Sequence, residues 1–127
     1  MKKIISTLNA PAAIGPYSQG IAFGGTLYIS GQLPIDPATG ELIKSGIADE
    51  TRQALKNMAA IVEAAGGKME NMLKTTILLT DLSNFTAVNE VYAEFFPGNP
   101  PARACYQVSA LPKGADIEIE GICGMGE

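Results

Sequence analysis

Two ionisable side chains near the end of the chain have the types and setting that chemistry needs. One is Arg103, in Pro101-Ala102-Arg103-Ala104-Cys105; the other is Glu118, in Ile117-Glu118-Ile119-Glu120. A guanidinium offers a planar fork of donors and grips a carboxylate bidentately, better than an ammonium can. On an extended segment side chains alternate, so Glu118 and Glu120 share one face and Ile117 and Ile119 the other. Two like charges on one face raise a carboxyl pKa or call for a nearby cation, and such a carboxyl can orient water or shuttle a proton. The plain alternative is an arginine and a glutamate on solvated faces. The chain contains no histidine, so the usual base at neutral pH is missing. Any chemistry falls to Arg, Glu, Tyr and backbone groups.

Three further positions are candidates. Tyr17, in Ile14-Gly15-Pro16-Tyr17-Ser18-Gln19, stands in a loop where its hydroxyl could donate over a pocket or its ring could pin the loop to the core. Cys105 lies two residues after Arg103 and shares its face. With no histidine to lower its pKa, a small buried residue whose backbone faces a ligand is the better reading than a nucleophile. Gly31 follows Ile29-Ser30 at a strand end, where a backbone can approach a ligand closely or simply turn into a loop. Neither G-x-x-x-x-G-K-[ST] nor G-x-G-x-x-G occurs, so no phosphate loop is expected.

These residues need elements to hold them. Lys3 to Thr7 reads as a short strand and Asn9 to Gln19 as an irregular loop. Ile21-Ala22-Phe23 and Thr26 to Ser30 flank Gly24-Gly25, a favoured hairpin turn. Gly31 to Gly40 reads as loop. Leu55, Met58, Ala59 and Val62 form an apolar stripe that predicts a helix over 48–65, with Asp49 and Glu50 at its positive end and Gly66-Gly67 closing it. Met72 to Thr80 reads as a strand, apolar on both faces at Ile77-Leu78-Leu79. Ser83 or Asn84 would cap a second helix carrying Val88, Val91, Tyr92 and Phe95, stopped by Pro97 and Gly98. Arg103 to Ser109 and Ala115 to Cys123 read as strands joined at Pro112-Lys113-Gly114, a hairpin that would set Arg103 near Glu118 as a site for a small amino-acid-like ligand. The order β-β-β-α-β-α-β-β gives an α+β domain with two helices on one face of a mixed sheet. The doubly apolar middle strand implies a covered second face, hence a homo-oligomer with sheets packed on sheets.

The totals exclude several classes. A chain of 127 residues is a single domain, 1–127, and its 46% hydrophobic content can build an ordinary core. A net charge of −4 and a pI near 4.8 lack the basic footprint of a nucleic-acid binder. No apolar run reaches the roughly 20 residues of a membrane span. The start, Met1-Lys2-Lys3-Ile4-Ile5, resembles a signal peptide but is broken at once by Thr7, Asn9 and Pro11. Cys105 and Cys123 form no CxxC, and zinc without histidine is not expected. The expectation is a reduced, cytoplasmic domain without metal or cofactor.

The stretch Pro101 to Ile119 resembles the signature of the Rid family, also called YjgF: Pro-Ala-Arg, a Cys two residues on, a Leu-Pro turn, then Ile-Glu-Ile-Glu. Asn9 to Gly20, Ser30-Gly31-Gln32 with Pro34, Lys74-Thr75-Thr76, Asp81-Leu82 and Asn89 extend it over essentially the whole chain. The resemblance implies a chorismate-mutase-like fold, a homotrimer and sites in clefts between subunits. It implies hydrolysis of enamines and imines such as 2-aminoacrylate and 2-iminobutyrate to 2-keto acids and ammonia. Arg103 would clamp the substrate carboxylate, Glu118 would orient water or move a proton, and Tyr17 would help close the cleft from a neighbouring subunit. Gly31 and Cys105 would hold substrate through backbone groups, with polar contacts from Ser30 and Asn89. Phe96-Pro97-Gly98-Asn99-Pro100 is shorter than in common bacterial members, which bears on substrate preference more than on activity. The competing expectations are a ligand-binding trimer for 2-keto acids without catalysis, a relative acting on a different imine, and a ribonuclease or translation inhibitor.

Overall fold

The computed structural model describes residues 1–126. Strand β1 is Lys3–Ile5, β2 Gly20–Phe23, β3 Thr26–Gln32, β4 Ile35–Asp36 and β5 Glu41–Leu42; helix α1 is Ile47–Ala64; β6 is Met72–Leu79; α2 is Phe85–Phe95; β7 is Ala102–Gln107 and β8 Ile117–Gly124. Six strands form one mixed sheet in the order β1-β2-β3-β8-β6-β7, and β4-β5 make a separate small hairpin. Most of that hairpin lies inside the stretch read as loop. Two-residue strands are too short for an alternation pattern to announce them.

Local chemistry explains most boundaries. Gly24 and Gly25 both have positive φ, 59° and 78°, as a tight turn between β2 and β3 demands. Helix α1 ends in a Schellman motif: the Gly67 amide donates to the Val62 carbonyl and the Gly66 amide to the Glu63 carbonyl, each at 2.9 Å. Neither Ser83 nor Asn84 caps α2 through its side chain; Asp81 instead accepts from the Ser83 amide and starts a 3-10 turn that leads into the helix.

Leu27 and Ile29 from β3, Ile77 and Leu79 from β6, and Ile117, Ile119 and Cys123 from β8 bury one sheet face. Leu55, Met58, Ile61 and Val62 of α1 and Val88, Val91 and Tyr92 of α2 close the core above it. Both helices thus cover the same face, as read from the sequence. On the opposite face Tyr28 and Tyr106 remain 49% and 57% exposed.

One expectation fails here. The last two strands are not a hairpin. β7 runs parallel to β6 at the sheet edge, while β8 lies between β3 and β6 and is antiparallel to both. A parallel neighbour requires a long crossover, which α2 supplies. Arg103 pairs with Thr75 and Cys105 with Ile77, on the helix-covered face; Glu118 pairs with Leu78, on the other.

Candidate functional site

A cavity of about 690 Å³ opens on the uncovered side of the sheet, between the loop before β2, the end of β3, the Pro112–Gly114 turn and β8. Tyr17, Ser30, Gly31 and Glu118 all line it. Glu118 rises from β8 and rests against Gly31. A Cβ on Gly31 would fall 2.8 Å from Glu118 Cδ and nearer still to Oε2, so only glycine leaves room for the carboxylate. Burial pushes the Glu118 carboxyl above its ordinary range, and the Glu120 charge pushes it the same way. Among the described residues ion pairs form between Arg52 and Asp49 and between Arg52 and Glu94, so none neutralises Glu118.

The cavity rim is held by hydrogen bonds the sequence did not announce. The Ser30 hydroxyl donates to the Ser18 carbonyl at 2.5 Å, and the Ser30 amide to the Gln19 carbonyl at 3.0 Å. Ser30 therefore anchors the loop that presents Tyr17, and its donor is already engaged. Gln19 is 4% exposed. Its amide nitrogen donates to the Thr7, Ala10 and Pro11 carbonyls, and its oxygen accepts from the Thr7 amide at 2.7 Å. One buried glutamine thus organises an irregular loop whose backbone groups would otherwise lack partners. Tyr17 itself is half exposed at the mouth. Lys113, also lining the cavity, adopts φ 61°, a left-handed conformation uncommon for a residue with a side chain.

Arg103 lies elsewhere, in a groove of about 700 Å³ formed by α2 and the start of β7. Its Nη1 donates to Asn89 Oδ1 at 2.7 Å. The guanidinium carbon lies 4.9 Å from the Tyr92 ring centroid and 5.3 Å from that of Phe85. Asn89 thus reaches the arginine directly. The two rings carry no sequence signal for this role, since the helical spacing of Tyr92 marks it only as core.

Cys105 is half-buried and packs against the core. Burial pushes its thiol up, against the opposing pull of the Arg103 charge, so the thiolate needed of a nucleophile is disfavoured. A further carboxyl emerges only from the packing. Glu50, in the first turn of α1, is 4% exposed and is raised from 4.5 to about 7 by burial, then by its hydrogen bond to Asp116 and the charge of Asp116. Lys44 and the Gly46 amide pull the other way. Lys44 Nζ also donates to the Gly114 carbonyl at 3.1 Å, tying this region to the turn at the cavity edge. Among the described residues, no cluster of three or more His, Cys, Asp or Glu side chains could hold a metal ion.

Within one chain, then, Tyr17, Ser30, Gly31 and Glu118 converge, and Arg103 and Asn89 converge, but the two groups lie on opposite faces of the sheet.

The fold belongs to a known class. A family model described as endoribonuclease L-PSP matches residues 7–124, and the chain belongs to that family. It is 52% identical to human 2-iminobutanoate/2-iminopropanoate deaminase over 99% of this chain and 92% of that protein. A Rid-family structure from Yersinia pestis superposes with a TM-score of 0.96 at 52% identity, covering 98% of this chain and 99% of that one. Escherichia coli TdcF, solved with bound serine, superposes with a TM-score of 0.93 at 43% identity over 98% and 99% of the two chains. The resemblance drawn from Pro101 to Ile119 therefore extends over the whole chain. No helix among the described residues is long and apolar enough to cross a membrane.

Proposed function

We propose that this chain is an enamine/imine deaminase that hydrolyses 2-iminobutyrate and 2-aminoacrylate, with its imine tautomer, to the 2-keto acids and ammonia. The observation that carries the reading is Glu118: half-buried, without an ion pair among the described residues, and set against Gly31 in a ligand-sized cavity beside Tyr17. The activity named for the human relative supports it.

The chemistry follows from residue types. Arg103 pairs with the substrate carboxylate and orients the imine carbon. Glu118 accepts a proton from water as the water oxygen bonds to that carbon, and returns it to the nitrogen. The hydroxyl proton of the resulting carbinolamine then passes through Glu118 to the nitrogen, the C–N bond breaks, ammonia leaves and the carbonyl forms. A carboxyl whose pKa burial raises can both accept and return a proton. Gly31 and Cys105 offer backbone groups to the substrate, and Asn89 holds the arginine fork. Imines hydrolyse unaided in water, so a modest barrier reduction suffices.

Because Arg103 and Glu118 lie on opposite faces of one chain, a site using both takes Arg103 from one copy and the Tyr17–Glu118 cavity from the next. This supports a homo-oligomer with sites between subunits, and the family resemblance implies that the oligomer is a homotrimer. Two free thiols are in keeping with a cytoplasmic location. The family description favours a ribonuclease as the second reading; a net charge of −4 speaks against it.

The test generates 2-iminobutyrate in the cuvette with a threonine dehydratase and traps it with semicarbazide. Wild-type protein should divert the imine to keto acid, and Arg103→Ala should not. No acceleration by wild type would leave a ligand-binding module. Full activity in Arg103→Ala would overturn the role of the arginine.

A further inference from the structure

Arg103 stands on an edge strand and is exposed, a setting in which a long side chain ordinarily samples many rotamers. Here its guanidinium is held from three sides. Asn89 Oδ1 accepts from Nη1 at 2.7 Å, and the Tyr92 and Phe85 rings lie within cation–π distance at 4.9 and 5.3 Å. Tyr92 in turn is fixed. It is 5% exposed, and its hydroxyl pairs with Thr75 Oγ1 at 2.6 Å. Thr75 is 1% exposed and is the register partner of Arg103 across the β6–β7 ladder. The contacts close a ring: from the Arg103 backbone across the ladder to Thr75, from its hydroxyl to Tyr92, and from the Tyr92 ring back to the Arg103 guanidinium. Glu90 lines the same groove but makes no ion pair with the arginine, which leaves the remaining guanidinium donors uncommitted to a carboxylate among the described residues.

We infer that Thr75 and Tyr92 are positioning residues for carboxylate recognition: their hydroxyl pair fixes the ring that holds the Arg103 guanidinium in plane, with its free edge ready for a bidentate ligand carboxylate. The inference rests on the reading of Arg103 as the carboxylate clamp. Phe85, the first residue of α2, is the second wall.

A core role alone would also explain a buried hydroxyl pair, since each hydroxyl satisfies the other. Paired substitutions separate the two. Thr75→Val and Tyr92→Phe each strand one buried hydroxyl and should lower thermal stability. The Thr75→Val/Tyr92→Phe double variant strands none and should recover most of it, because replacing both partners by apolar groups of like shape is nearly neutral. If the pair positions Arg103, the recovered double variant should still bind 2-oxobutyrate about three- to tenfold more weakly than wild type by calorimetry. Tyr92→Leu, which removes the ring, should be weaker again. In the ligand-free protein, the Arg103 Nε–H order parameter measured by NMR should fall in the double variant. A double variant with wild-type affinity and an unchanged order parameter would overturn the inference while leaving the clamp intact. Wild-type affinity in Arg103→Ala would overturn the clamp itself, and this inference with it.

Discussion

The carboxylate of Glu118 rests on the α-carbon of Gly31, so close that a Cβ at that position would lie only 2.8 Å from Glu118 Cδ. The closeness sets where the acid can stand in the cavity. Gly31→Ala should displace the carboxyl without unfolding the strand, since Gly31 has no positive φ to lose. The expected outcome is a fall of about 100-fold in kcat/KM, the scale of a 1 Å misplacement, with a melting temperature close to wild type. Steady-state kinetics and a thermal melt check it. A large loss of stability with normal activity in the remaining folded fraction would refute it.

Glu118→Gln keeps the shape and removes the titrating group. Turnover should drop by about 10²- to 10⁴-fold, while 2-oxobutyrate binding, which depends on Arg103, stays near wild type. The pH profile adds a sign. Activity that needs the ionised Glu118 is lost as pH falls through its raised pKa. Burial and then the Glu120 charge raise that pKa, so Glu120→Gln should move the acidic limb of kcat/KM to lower pH. A limb that moves upward or stays still would dissociate Glu120 from the site.

Glu50 should leave a signature in stability rather than catalysis. Its folded pKa, about 7, exceeds the ordinary 4.5. The folded chain therefore holds this proton more tightly than the unfolded chain does. The contribution is complete below the unfolded value and is lost as pH rises through the folded one. Between about pH 5 and about pH 8 the wild type should lose thermal stability, and Glu50→Gln, which can still donate to Asp116, should lose less. Asp116→Asn should act in the same direction by removing the charge that helps raise Glu50. Parallel melts at the two pH values decide it, and equal slopes in wild type and Glu50→Gln would contradict it.

Cys105→Ser should retain most of the activity. Burial holds the thiol protonated against the pull of Arg103, and in the proposed reaction only its backbone meets substrate. The wild-type thiol should also react sluggishly with an alkylating reagent near neutral pH. Complete loss of turnover in Cys105→Ser would restore the thiol as a participant.

Local patterns carried much of this protein. The stripe Leu55, Met58, Val62 places α1 within a residue of its observed ends, because helical hydrogen bonds and side-chain periodicity are settled over a few neighbours. Gly24-Gly25 and Gly66-Gly67 announce a turn and a helix end through backbone freedom that no other residue type shares. The chemically capable residues were also legible, since Arg, Glu and Tyr in otherwise apolar or loop surroundings are visible by type alone.

Strand partnership was not legible. Alternation within Arg103–Gln107 and Ile117–Gly124 says which residues share a face, but not which strand lies beside which, because ladder bonds join segments distant in sequence and every backbone offers the same groups. A turn at Pro112–Gly114 suggested a hairpin; the sheet instead inserts β8 beside β3 and sends β7 to the edge beside β6. That choice alone parts Arg103 from Glu118 and makes Thr75 the neighbour of Arg103. The sequence determined which groups this protein has for grasping a carboxylate and moving a proton. The tertiary structure decided which of them can meet within one chain, because only the packed sheet assigns a face and a neighbour to each.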